Sequence, residues 1–347
     1  MKRLLLLSVL LLAACAPLGT PTSTGPQTLT VMTHDSFSVS EAVVKSFEDA
    51  NNAKLVFLPG GDAGAVLNKA ILTKDAPLGD VLYGVDNTFL SRALEADIFE
   101  PYDSPALQAV PASYKLDPGN RALPVDYGDV CINYDKKYFA DNALAVPQSL
   151  EDLTNAEYAN LLVVENPATS STGLAFLLAT VAHFGDHYLD YWRALRSNGV
   201  VVVDGWETAY YTNFSASSGH GPQPLVVSYG SSPAAEVIYA ETPLDDAPTA
   251  SIIGPDTCFR QVEFVGILKG TQNRALAEKF VDFMLGRQFQ EDMPLQMFVY
   301  PVNPVAVFPE AFVKYAQAPA QTATLAPDVI AANRDRWIQE WTDVVMK

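Results

Sequence analysis

The chain has 347 residues and sets 40 acidic against 22 basic side chains, a formal charge of −18. That balance leaves no excess of lysine and arginine for a phosphate backbone, which excludes nucleic acid as a partner. About 320 residues beyond an N-terminal leader are too many for one small core and fit two lobes of ordinary size. Acidity of this kind keeps a protein soluble, and an acidic surface can favour a cationic solute, although salt screening at about 8 Å makes net charge weak evidence about any one site.

Lys2 and Arg3 precede an apolar run from Leu4 to Leu12. The run is too short to span a bilayer as a mature helix, and residues 1–14 read as a secretory signal. It ends in Leu12-Ala13-Ala14-Cys15, which resembles the bacterial lipobox. That resemblance implies cleavage before Cys15 and lipid on its sulfur and amino group, since stable anchoring takes more than one acyl chain. Residues 15–26 are uncharged and rich in Pro, Thr, Ser and Gly, a flexible tether of at most about 35 to 40 Å.

Beyond Pro26 strand and helix alternate. Thr28 to Thr33 reads as a strand ended by His34-Asp35-Ser36-Phe37, and a helix follows from about Ser40 with Val43, Val44 and Phe47 on one face. Ser38 and Glu41 have the spacing of a capping box. Lys54 to Leu58 is the next strand, ended by Pro59-Gly60-Gly61-Asp62; Ala63 to Thr73 is helix, Asp80 to Gly84 strand, and Val85-Asp86-Asn87 the turn after it. Repeated β-α-β predicts a mainly parallel sheet flanked by helices. The rhythm restarts at Leu161 to Val164, which leads through Asn166-Pro167-Ala168-Thr169-Ser170-Ser171-Thr172-Gly173 into a helix to about Phe184. Val200 to Val203 then leads to Trp206, and Leu225 to Ser228 leads to Tyr229. The second lobe therefore has its own sheet.

Two apolar runs, Pro124 to Tyr134 and Gln261 to Gly266, are placed to cross between the lobes as hinge strands. The fold class is α/β with two lobes: residues 27–126 and 259–300 form the first, 127–258 the second. Asn273 to Leu285 is a helix of the first lobe. Residues 301–347 form a C-terminal helical segment packing on the lobes, in which Trp337 and Trp341 share one face. Cys131 and Cys258 sit in strand-like runs and could pair in an oxidising compartment or remain as two buried thiols.

In open α/β sheets ligands bind beyond the carboxyl ends of the strands. Asp35, Ser36, Gly61, Asp62 and Asp86 lie at such ends in the first lobe. Ser170, Ser171, Trp206, Tyr210 and the stretch Tyr229-Gly230-Ser231-Ser232-Pro233 do so in the second. Facing each other across a hinge, they would surround one cleft. Small-residue turns before helices leave unpaired N–H groups that hold anions or hydroxyls, and an adjacent indole or phenol adds a flat surface. Enzymatic signatures are missing: His183 and His187 have no zinc-protease glutamate between them, no Gly-x-Ser-x-Gly elbow occurs, and no cysteine cluster is available for a metal. The expectation is a binding protein with no catalytic residues, no metal and no cofactor.

Thr33-His34-Asp35-Ser36-Phe37, Gly84-Val85-Asp86-Asn87, Asp126-Tyr127-Gly128, Gly205-Trp206 with Ala209-Tyr210, Ser228-Tyr229 with Ser232-Pro233-Ala234, Tyr300-Pro301-Val302 and Trp337 with Glu340-Trp341 resemble, in order, the thiamine-binding proteins of bacterial ABC importers. The resemblance runs from about Thr28 to Val345. It implies a periplasmic binding protein of the two-lobed type II kind, a monomer that closes on thiamine or its phosphate esters and delivers it to a membrane permease. By the same resemblance the ligand contacts fall on Gly61-Asp62, Ser170, Ser171, Trp206 and Tyr229 to Pro233. This chain departs in having Phe298 where the family often has tryptophan, which keeps a ring and loses an indole N–H.

Thiamine carries a permanent positive charge, so aromatic faces and a compensating carboxylate are what its chemistry asks for. Trp206, Tyr229 and Phe298 are the candidate faces, and Asp35, with Asp62 and Asp86 behind it, the candidate counter-charge. Two other solutes suit the same architecture: ferric iron, for which the adjacent Tyr210-Tyr211 invites comparison although they should point to different helix faces, and a polyamine-like organic cation.

Overall fold

The computed structural model describes residues 25–216 and 219–347. The expected leader, Cys15 and nearly all of the tether lie outside the described residues. No helix among the described residues is long and apolar enough to cross a membrane.

The first half of the fold builds on β1 (Gln27–Thr33), α1 (Glu41–Asn51), β2 (Ala53–Pro59), α2 (Ala63–Leu72), β3 (Val81–Asp86), α3 (Leu90–Glu95) and β4 (Phe99–Glu100). Leu29 and Val31 of β1 join a layer with Phe47, Phe280 and Met284, whereas Met32 joins the layer behind the sheet. Alternate residues thus feed two covered faces, as a strand flanked by helices on both sides requires. Helix α1 is capped by Ser40, whose hydroxyl accepts from the Val43 N–H. The expected Ser38–Glu41 box does not form, because Ser38 turns to Gln296 and Met297 instead.

Strand β5 (Leu123–Asp135) leaves this half and enters the other. There follow α4 (Lys136–Asp141), β6 (Leu162–Glu165), α5 (Ser171–Phe184), α6 (Tyr188–Ser197), β7 (Val201–Val203), α7 (Trp206–Thr208), β8 (Leu225–Tyr229), α8 (Ser232–Ile238) and β9 (Thr249–Ile252). Strand β10 (Phe259–Leu268) returns to the first half, followed by α9 (Arg274–Met284), α10 (Arg287–Gln296), β11 (Tyr300–Pro301), α11 (Glu310–Tyr315) and α12 (Pro327–Val345). Helix α12 packs on α6 and α3. Trp341 is fully buried there, with its ring edge-on to Trp192 at 5.5 Å.

The two lobes do not have separate sheets. One ladder runs β2-β1-β3-β10-β5-β8-β6-β7, because the 13 residues of β5 are long enough to serve both lobes. Its first part pairs antiparallel with β10 and its second with β8 on one side and β9 on the other. Each lobe repeats one order, β2-β1-β3-β10-β5 and β7-β6-β8-β5-β9. Pairs β1-β2, β1-β3, β6-β7 and β6-β8 are parallel, and the crossing strands are antiparallel to their neighbours. Cys131 in β5 and Cys258 just before β10 are joined by a disulfide, next to the paired residues Val130 and Phe259.

Candidate functional site

The carboxyl ends of β1, β2, β6, β7 and β8 converge on a cleft of about 1020 Å³ between the lobes. Of the residues expected from sequence, Asp35, Ser36, Asp62, Ser171, Trp206, Tyr210, Tyr229, Ser232 and Phe298 line it. The others stand behind the wall. Gly61, at a φ of +95° that favours glycine, lends its carbonyl to the Asp35 N–H at 3.0 Å. Ser170 caps α5 by accepting from the Gly173 N–H. The Gly230 N–H is spent on the Asp129 carbonyl, the Ser231 hydroxyl donates to the Phe298 carbonyl, and Pro233 is buried in the first turn of α8.

Asp86 was expected on the wall and is not there. It is fully buried as the last residue of β3, where it accepts from the N–H groups of Thr88 and Phe89, the Thr88 hydroxyl and the Gln261 amide. A carboxylate that closes its own turn in this way cannot also point outward. Burial lifts it to about 7.

Asp62 bridges the lobes. As the residue before α2 it accepts from the Ala63 N–H at 2.6 Å, and it also accepts from the Ser171 N–H at 3.3 Å and the Trp206 N–H at 3.0 Å. Ser171 and Trp206 are the first residues of α5 and α7, so one carboxylate sits at the start of three helices, where unpaired donors and helix dipoles favour negative charge. A second bond joins the lobes beside it, from the Gly64 N–H to the Thr169 carbonyl at 3.0 Å. Burial raises the Asp62 carboxyl above the ordinary aspartate range against the pull of these donors. Asp62→Ala is expected to weaken the closed arrangement by about 1 to 3 kcal/mol, the range for charge-assisted hydrogen bonds. Small-angle X-ray scattering of the ligand-free protein should then report a larger radius of gyration than wild type or Asp62→Asn, which keeps an acceptor. Three identical profiles would show that Asp62 does not hold the lobes together.

The aromatic wall belongs to the second lobe. Trp206 stacks on Tyr210 with ring centroids 5.0 Å apart and planes 18° apart, and its indole N–H donates to the Ser228 hydroxyl at 2.9 Å. Tyr210 and Tyr211 both border the cleft from a π-helical turn over Ala209–Asn213, with rings perpendicular at 5.5 Å, Tyr210 buried and Tyr211 exposed. The Tyr210 hydroxyl donates to Glu236. Tyr229 lies over Gly128, where a Cβ would come within 2.7 Å of its ring, and its hydroxyl donates to Gln261 at 3.0 Å. Phe298 closes the cleft from the first lobe, edge-on to Tyr239 at 5.4 Å.

Six carboxyl-bearing residues line the cleft, Asp35, Asp62, Glu207, Glu236, Glu241 and Glu263, with no lysine or arginine among its described lining. Asp35 and Glu207 are exposed at the rim, whereas Glu263 is only 5% exposed at the floor. Burial, then the charges of Asp35 and Asp62, raise Glu207. Sequence reasoning missed Glu263, although a lone acidic residue inside the apolar run of β10 was a visible signal. It missed His34 as well, whose ring is buried under the cleft with Nε2 3.6 Å from Glu263 Oε1. Burial lowers His34 to about 4, so it is neutral at ordinary pH. An acidic, aromatic, closable cleft of this size suits a small organic cation carrying a flat ring.

Residues 76–320 match the family model described as bacterial extracellular solute-binding protein. The thiamine-binding periplasmic protein of Salmonella typhimurium is 32% identical over 347 residues, covering 98% of each chain. That of Escherichia coli is 31% identical, covering 92% of this chain and 94% of its own. Among solved structures, a periplasmic thiamin binding protein superposes with a TM-score of 0.82 at 29% identity, covering 95% of this chain and 100% of that one. The periplasmic binding protein AfuA from Actinobacillus pleuropneumoniae, with exogenous fructose-6-phosphate bound, and iron-bound HitA from Pseudomonas aeruginosa share the fold, with TM-scores of 0.79 and 0.72 at 22% and 17% identity. With its paired lobes, its shared crossing strands and this likeness over nearly its full length, the chain belongs to the bacterial extracellular solute-binding proteins, in the group of the thiamine-binding periplasmic proteins.

Proposed function

We propose that this protein captures thiamine in the interlobe cleft and delivers it to the permease of an ABC importer, acting as a carrier rather than an enzyme. The observation that carries the reading is the pairing of a stacked indole–phenol wall with a carboxylate-lined cleft free of lysine and arginine among its described lining. It is supported by near-full-length likeness to relatives that bear that name. A thiazolium desolvated against Trp206 gains about 0.5 to 2 kcal/mol from the ring face, and the surrounding carboxylates offset the loss of its hydration. Closing the lobes expels water and strengthens both terms. The protein works as a monomer outside the cytoplasm, held to a membrane by lipid on Cys15.

Isothermal titration of the purified mature protein tests this directly. One thiamine per chain is expected to bind with a dissociation constant below about 1 μM, equivalent to more than about 8 kcal/mol, and spermidine and ferric citrate should fail to compete. Absence of thiamine binding, or tighter binding of either competitor, overturns the reading. Titration with the monophosphate and diphosphate ranks the three forms.

A further inference from the structure

Beneath the cleft the two crossing strands each contribute one buried acid at the same level: Asp126 of β5 is the register partner of Glu263 of β10. Asp126 is fully buried and Glu263 nearly so, and only Glu263 reaches the cleft. Between them stands the Tyr83 hydroxyl, its oxygen 2.6 Å from Asp126 Oδ2 and 3.1 Å from Glu263 Oε2. A phenol has one hydrogen to give. It can satisfy one carboxylate, and the second oxygen–oxygen contact is attractive only if the other acid carries a proton of its own and donates it to the phenol. No N–H or phenol O–H among the described residues reaches the remaining Asp126 oxygen, Oδ1, and the two acids also interact directly with each other.

Among the described residues, the groups packed around the pair supply no compensating positive charge. From the end of β1 comes His34, held neutral by burial. From β3 comes Asp86, another acid, closed on its own turn and on Gln261. From β8 comes Tyr229, hydrogen-bonded to Gln261. The nearby cation of β10, Arg260, is turned to Asp129 in a two-pronged pair, both contacts at 2.8 Å. Burial pushes Asp126 up to about 6 and, with the charge of Asp126 beside it, Glu263 well above the ordinary glutamate range. One phenol hydroxyl within reach of both acids, with burial raising each, favours a pair that shares one proton.

We propose that Glu263 is the floor counter-ion for a cationic ligand and that the Asp126–Glu263 pair releases its shared proton to solvent when the ligand binds. The step balances in charge: one unit of positive charge enters the site as the ligand and one leaves as the proton, while the two carboxyl groups go from one negative charge to two. The inference rests on the thiamine reading for its choice of ligand. Because the bound state holds fewer protons, affinity rises with pH while the free pair is still protonated and levels off once it is not.

Calorimetric titration of wild type with thiamine at about pH 6.5, in buffers of different ionisation heat, is expected to show release of about 0.5 to 1 proton per ligand. Glu263→Gln should lose most of that release and bind at least roughly tenfold more weakly, with an unchanged circular dichroism spectrum. Asp126→Asn, which leaves Glu263 in place, should also lose the release. The infrared spectrum of wild type without ligand should contain one buried protonated-carboxyl band that both variants lack, besides those of buried Asp86 and Glu165, which both variants keep. Thiamine binding without proton release, or with release intact in Glu263→Gln, overturns the inference while leaving the thiamine reading in place. Failure of wild type to bind thiamine overturns the thiamine reading, and absence of the infrared band overturns the shared proton whatever the ligand.

Discussion

Replacing Cys131 and Cys258 together by serine is expected to lower the unfolding free energy by about 3 to 5 kcal/mol while leaving thiamine affinity within about threefold. The disulfide spans 127 positions of chain, and closing a loop of that length removes entropy from the unfolded ensemble worth about 5 kcal/mol at room temperature. Both cysteines are fully buried, so the two serines would also leave hydroxyls in an apolar setting, which adds to the loss. Neither sulfur lines the cleft. The bond ties the middle of β5 to the residue before β10 on the second-lobe side of the crossing, so it fixes where the two strands separate without touching the ligand. Guanidinium melts of wild type with and without reductant should separate by the same amount as wild type and variant. Complete alkylation of both thiols in unreduced wild type would remove the basis of this prediction.

The pairing of these cysteines illustrates what could be read from sequence and what could not. Their strand-like surroundings were legible, and the crossing of β5 and β10 was legible as two apolar runs, but the register that sets Val130 against Phe259 and brings the sulfurs together is a property of the assembled sheet. The same holds for the site. Strand ends with small-residue turns mark backbone that must stop pairing, so Asp35, Asp62, Ser171, Trp206 and Tyr229 are visible as candidates in the sequence. Asp86 carried the same local signature, yet its side chain closed on its own turn, a choice settled by the buried Gln261 opposite. Tyr211 also borders the cleft, from a π-helical turn that no sequence period announces. Glu263 showed only as a lone acid in an apolar run, because period-two alternation says which face a strand residue takes but not whether that face meets a core or a cleft, while His34, just past β1, gave no such signal.

Trp206→Ala should weaken thiamine binding by about 1.5 to 3 kcal/mol, roughly tenfold to more than a hundredfold, with little change in melting temperature. The indole lines the cleft while one of its faces is covered by Tyr210. That packing, with the Ser228 contact to the ring N–H, holds the ring in position before the ligand arrives, so little ordering is lost on binding. Truncation removes the flat surface and the bond to Ser228 but leaves the Asp62 bridge in place, because that carboxylate is held by the backbone N–H of residue 206 rather than by its side chain. Trp206→Phe distinguishes stacking from hydrogen bonding. It keeps a ring on Tyr210 and loses only the donor to Ser228, whose hydroxyl retains Ser232 at 2.9 Å. Its affinity is therefore expected within about fivefold of wild type, less than 1 kcal/mol. If alanine and phenylalanine cost the same, the indole N–H rather than the ring face carries the effect. Unchanged affinity in both would move the cation to the other side of the cleft, against Phe298 and the Glu263 floor.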